Sequence, residues 1–154
     1  MKNSILSAFD QLGFHLKDID GLGFTFNHEG LHYLYLPNES DEQFLCISLP
    51  SVCNADYFDI PKYCLLAERL NSSLKYVKAY TLGSSLWLFY ERALFAEADL
   101  NALLLHMVGS LEKALRLARQ LIDELDSTQL ADCDAESKVA LLRLSANLNK
   151  KDLN

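Results

Sequence analysis

Residues 26–37, FNHEGLHYLYLP, contain His28-Glu29-Gly30-Leu31-His32, the pattern H-E-x-x-H. On a helix, two histidines four apart share a face and hold one zinc ion, and the glutamate beside them acts on the metal-bound water. The flanks oppose a helix. Gly21, Gly23 and an F-x-F alternation precede the motif, and L-x-Y-x-Y and Pro37 follow it. These are strand signals around a turn at Asn27 to Gly30, and they point His28 and His32 in unrelated directions. The expectation is a turn histidine and a strand histidine, with neither catalytic nor structural zinc.

Other arrangements that could do chemistry fail in similar ways. There is no G-x-x-x-x-G-K-[ST] phosphate loop and no G-x-S-x-G elbow. DGLGF has two glycines at G-x-G spacing, but Phe26 stands where the third is needed. Glu39, Asp41 and Glu42 crowd a turn and read as solvated. Lys113, Arg116 and Arg119 form a basic strip that reads as a solvated helix face. His106 interrupts an apolar helical pattern and reads as a half-buried histidine with a partner. No nucleophile, base and orienting group come together. The expectation is a protein that is not an enzyme and carries no cofactor.

Composition narrows the classes further. The chain has 154 residues, half hydrophobic and 23% charged, with formal net charge −7 and pI near 5.0. That is one globular domain's length and composition. An acidic surface disfavours nucleic acid as a partner, because phosphate binding needs basic groups. Cys46, Cys53, Cys64 and Cys133 show no C-x-x-C spacing and read as free thiols. The start, MKNSILSAFDQLGF, does not read as a signal peptide, and no apolar run approaches the roughly 20 residues of a membrane span. A cytoplasmic protein without membrane association is expected.

The elements that would position any site follow from hydrophobic period. Ile5, Leu6, Phe9 and Leu12 share a helical face that Gly13 ends. LGFTFN, LHYLYLP and QFLCISLP alternate as three strands, the third ending at Pro50, with SVCNADYFDI as a loop. Pro61 opens a second helix, whose face is Tyr63, Leu66, Ala67, Leu70 and Leu74. KYVKAYTLGSSLWLFYERAL reads as a hairpin around a type II′ turn at Gly83-Ser84. That turn pairs Thr81 with Leu86, Ala79 with Leu88 and Val77 with Tyr90 on one face. It pairs Tyr80 with Trp87 and Lys78 with Phe89 on the other. Asp99 reads as the N-cap of a helix of about 26 residues, or roughly 40 Å, long enough for one end to overhang the sheet or touch something else. A domain over 1–126 and a C-terminal tail over 127–154 are expected; the tail is either a short docked helix, with Val139, Leu141, Leu142 and Leu144 in a helical patch, or partly disordered.

Helix, three strands, helix, two strands, helix is an antiparallel α+β order with helices mainly on one face. It resembles the type III secretion chaperone-like fold of class I secretion chaperones and the YbjN family. The resemblance covers about residues 3 to 125. It is most specific in LAERLNSSLKYVKAYTLGSSLWLFYERALFAEADLNALLLHMVGSLEKAL. There Asn71 stands at a helix end, and Val77-Lys78-Ala79-Tyr80 forms a hydrophobic-Lys-aromatic strand before a tight turn. The loop at 50 to 59 and the tail from 127 depart from the pattern. The resemblance implies a non-enzymatic, often dimeric protein that binds other proteins.

The helix-free face is the candidate site. On this register it would show Tyr33, Tyr35, Phe44, Tyr76, Tyr80, Trp87 and Phe89, with Tyr33, Tyr35, Tyr80, Trp87 and Phe89 the leading interface residues. So large an apolar patch rarely stays open. Three occupants are open at this point: a client protein or second copy, giving a homodimer; the tail; or a small molecule in a groove beside Trp87, which would make the chain a ligand-binding or enzymatic domain.

Overall fold

The computed structural model describes residues 2–54 and 60–127. Helix α1 (Lys2–Gln11) leads into a two-residue strand β1 (Lys17–Asp18). Then come β2 (Phe24–His28), β3 (Leu31–Tyr35) and β4 (Phe44–Asn54). Helix α2 (Ile60–Ser73), strands β5 (Val77–Leu82) and β6 (Ser85–Ala93), and helix α3 (Leu100–Ser127) complete the described chain. The six strands form one antiparallel sheet in the order β1-β2-β3-β4-β6-β5. The class is α+β, as expected.

The hairpin forms with the anticipated register. Thr81 pairs with Leu86, Tyr80 with Trp87, Ala79 with Leu88, Lys78 with Phe89 and Val77 with Tyr90. Gly83 has φ +61° and Ser84 stays out of the positive region, as a type II′ turn requires. In α3, Asp99 accepts a bond from the Ala102 amide at 3.1 Å and caps the helix.

All three helices pack on one face of the sheet. Alternate strand residues point into this layer: Phe26, Tyr33, Tyr35, Leu45, Ile47, Leu49, Val77, Ala79, Leu86, Leu88 and Tyr90 are buried in one cluster with Phe9, Leu66, Leu70, Leu104 and Leu111. Helix α3 stays buried along its apolar stripe as far as Leu125, and Arg69 of α2 lies 3.9 Å from Glu124. Helix α2 therefore occupies the side where an overhang was expected.

Two boundaries differ from the sequence expectation. Strand β4 does not stop at Pro50. It continues to Asn54 through an irregularity between Leu49 and Cys53, with Ser51 at φ +54°. A proline is tolerated inside a strand where the ladder is already broken by a bulge. Strand β1 has two residues, too short to show a period. The tail from 128 lies outside the described residues, and so do residues 55–59 of the expected 50–59 loop.

Candidate functional site

The H-E-x-x-H letters fall on a β-hairpin. Glu29 and Gly30, at φ +50° and +78°, form a two-residue turn, so His28 pairs with Leu31 and Asn27 with His32. The turn is tighter than expected, but the consequence is the same. His28 lies on the helix side with its ring edge-on to Phe14, and His32 lies on the opposite side bonded to Asn27. The two imidazoles are separated by the sheet. Among the described residues no group of three His, Cys, Asp or Glu side chains is placed to hold a metal.

The helix-free face carries a different constellation. Cross-strand pairing puts Thr25, Leu34, Ser48, Phe89 and Lys78 in one row across β2, β3, β4, β6 and β5. Beside it run Cys46 with Glu91, and Tyr80 with Trp87. The aromatic rings stack: Tyr80 and Phe89 have centroids 4.2 Å apart and planes 7° apart, and Phe89 and Trp87 are 6.0 Å and 14° apart. Tyr80 is 40% exposed, Trp87 half-buried and Phe89 buried. An ion pair between Lys78 Nζ and Glu91 Oε2, at 3.0 Å, bounds the patch.

The centre of this face is dry. Ser48 has no exposed surface, and its hydroxyl has no hydrogen-bond partner among the described residues. Cys46 is 7% exposed, and burial pushes its thiol up to about 12, with Glu91 adding to the shift and Lys78 opposing it. Burial also raises the Tyr80 hydroxyl. Burial thus favours the neutral form of both Cys46 and Tyr80, the opposite of what primes a nucleophile.

Two leading residues move to the other side of the sheet. Tyr33 and Tyr35 are core residues, 0% and 2% exposed, with Tyr33 stacked on Phe26 and Tyr35 against Phe9. Burial raises both hydroxyls to about 12. In LHYLYL both alternating sets are apolar apart from His32, so the period alone does not choose a face; the partners Phe26 and Phe9 do. Tyr76 also leaves the patch. Alternation puts it with Lys78 and Tyr80, but its φ of +68° turns the side chain to stack on Tyr90 beside His106. Phe44 is half-buried at the margin, near Ile5 and Tyr35. The face thus keeps Tyr80, Trp87 and Phe89, and gains Leu34, Cys46 and Ser48, which the sequence reading left out.

His106 is exposed, and its Nδ1 lies 3.1 Å from the Tyr90 hydroxyl. In the basic strip Arg116 pairs with Glu112 at 3.1 Å. Among the described residues Cys46, Cys53 and Cys64 are not joined in disulfides, and Cys133 lies outside the described residues. No helix among the described residues is long and apolar enough to cross a membrane.

Asn71, singled out at the end of α2, has a definite task. Its side-chain amide donates to the Ala79 carbonyl at 2.8 Å and its oxygen accepts from the Ala79 amide at 2.7 Å. Strand β5 is an edge, and Asn71 satisfies both groups that Ala79 turns outward.

Helix and three longer strands, helix, hairpin and long helix on one side of a single sheet is also the arrangement of a solved bacterial protein. That structure, of E. coli YbjN, a candidate transcription regulator, superposes with TM-score 0.61 at 11% identity, over 80% of this chain and 93% of the other. The chain has a YbjN-like fold. A second structure, an uncharacterized protein from Methanothermobacter thermautotrophicus, superposes with TM-score 0.54 at 12% identity, over 81% and 96%. No protein-family model and no curated protein matches the sequence. At these identities the YbjN-like likeness is one of fold, and the surface chemistry is this chain's own.

Proposed function

We propose that this YbjN-like chain is a non-enzymatic interaction module, chaperone-like or regulatory, that holds a client protein on its helix-free sheet face. The observation that carries the reading is the stacked row of Tyr80, Phe89 and Trp87 on a face none of the three helices covers. Large, stiff aromatic side chains in a partly dry patch are what interaction hot spots are made of. The net charge of −7 suits a client with basic surface and opposes direct binding to nucleic acid. If YbjN's candidate role in transcription extends to this chain, it would act through a protein contact. Because Asn71 occupies the outward groups of Ala79, the client is gripped by side chains of the face rather than by adding a strand there.

The competing reading is a small-molecule site beside Trp87. The depressions of about 560, 250 and 190 Å³ described on this surface lie between α1 and the start of α3, by Pro37 and Phe44, and by His32 and Arg119; none is lined by Trp87. The test is affinity capture from the native host with three baits: wild type, Trp87→Ala, and Lys113→Ala on the opposite side of the molecule. A protein captured by wild type and Lys113→Ala but lost with Trp87→Ala supports the proposal. A protein captured equally by all three, or a small molecule co-purifying in place of any protein, overturns it.

A further inference from the structure

Among the described residues the hydroxyls of Tyr33, Ser48 and Tyr63 are wholly enclosed without a hydrogen-bond partner. Tyr35 differs from them. It is 2% exposed and its hydroxyl bonds to no described residue, yet that hydroxyl is not sealed off. Tyr35 lines a depression of about 250 Å³ between the start of α1 and the connection from β3 to β4. Two rings hold it in place: Phe24 stacks on it at 5.9 Å and 15°, and Phe9 lies at 5.1 Å. A fixed phenol thus stands at a cavity with its donor and its acceptor both unused. We propose that this depression binds a neutral phenol-like group, an aromatic ring carrying one hydroxyl, which exchanges a hydrogen bond with Tyr35.

Size, walls and charge select that ligand. A cavity of about 150 Å³ already takes benzene, and drug-sized ligands need about 300–1,000 Å³. The depression falls between the two and fits one ring with a polar substituent. Ile5, Pro37 and the half-buried Phe44 give it apolar walls. Lys2, Glu39 and Glu42 are exposed and bring both signs of charge to its rim. None of the three acts on the Tyr35 hydroxyl, which burial alone pushes up to about 12. The floor is therefore dry and neutral. A carboxylate or ammonium placed there would lose its water without gaining a countercharge. An alkyl group would leave the Tyr35 hydroxyl unpaired. A ligand hydroxyl can donate to it or accept from it, and the ring supplies the apolar body that the walls require. A free phenol and a tyrosine side chain of a peptide offer the same group.

The probes p-cresol and toluene differ by one hydroxyl, so they form a cycle with Tyr35→Phe in the full chain. Ligand-observed NMR titrations give the four affinities. Tyr35→Phe should lower the ratio of p-cresol affinity to toluene affinity by about fivefold, the worth of one neutral hydrogen bond. Toluene itself should still bind. Benzoate and benzylammonium should bind more weakly than p-cresol by about tenfold or more, because each would bury a charge. N-acetyltyrosine amide separates the two sources: binding tighter than p-cresol marks a peptide side chain as the occupant, and weaker binding marks a free phenol. An unchanged ratio in a folded Tyr35→Phe protein overturns the inference. So does either ion binding as well as p-cresol, or wild type that shows no saturable p-cresol binding. If circular dichroism shows that Tyr35→Phe does not fold, Phe44→Ala at the margin replaces it. Loss of that wall should weaken p-cresol by about tenfold, and unchanged binding overturns the site. The depression is not lined by Trp87, so none of these results touches client capture through that residue.

Discussion

Replacing Asn71 by alanine tests whether a single side chain closes the exposed edge of the sheet. Asn71 makes two bonds to one residue, at 2.8 and 2.7 Å. Each net bond contributes about 1 kcal/mol, and an unmet buried donor or acceptor costs about 1–3 kcal/mol. Asn71 is itself exposed, which lets water into the gap it would leave, but Ala79 is only 3% exposed, so water reaches its amide and carbonyl poorly. The balance is a loss of about 2 kcal/mol. For a domain of this size that lowers the melting temperature by roughly 6–10 °C. Urea denaturation followed by circular dichroism measures the loss. Asn71→Asp supplies an internal control. It keeps the acceptor for the Ala79 amide but sets a carboxylate against the Ala79 carbonyl, so its folded-state pKa should lie above that of the unfolded chain. Its stability relative to wild type should therefore improve as pH falls from 7 towards 4. If Asn71→Ala loses less than about 0.5 kcal/mol, the range of ordinary surface substitutions, the edge is satisfied by other means and the reasoning is wrong.

Other consequences follow from the core and the turns. Gly23→Ala would put a methyl group 2.6 Å from the Tyr35 carbonyl oxygen at φ +156°, so it should destabilise by about 1–3 kcal/mol, checked by thermal melting. Leu88, fully buried on β6, should cost about 2–5 kcal/mol when cut to alanine. Stability should also fall in alkali. Tyr33 and Tyr35 are held at about 12 and Cys46 at about 12, above their values of 10.0 and 9.0. The unfolded chain therefore loses these protons first, and stability is lost as pH rises from 9 towards 12. Urea midpoints across that range should decline steadily, and a flat profile to pH 11.5 would show that the three groups ionise freely in the folded protein.

Much of the fold is visible in the sequence where one physical constraint acts alone. Gly83-Ser84 admits one compact turn, and the pairing from Val77–Tyr90 to Thr81–Leu86 follows from it residue by residue. The long stripe of α3 from Leu103 to Leu125 has one period and one face. Reading failed where two constraints competed. Apart from His32, Leu31 to Leu36 is apolar on both alternating sets, so local pattern could not tell that Tyr33 and Tyr35 would meet Phe26 and Phe9. Tyr76 follows the alternation in sequence but leaves it in space through one positive φ, which no pattern of residue types announces. Pro50 is an ordinary strand end by composition, and only the irregular pairing with β6 lets β4 continue beyond it. A serine between Ile47 and Leu49 reads as an exposed position, yet Ser48 is fully buried in the row between Leu34 and Phe89.

The central claim, that the Tyr80–Phe89–Trp87 face holds another protein, is tested most directly by site-specific photocrosslinking in the native host. A benzophenone amino acid replaces Tyr80, and in a parallel strain Lys113 across the molecule. A discrete crosslinked protein should form from position 80, be absent from position 113 and be lost when Trp87→Ala is added. Position 80 yielding only uncrosslinked chain, or the same products as position 113, would contradict it.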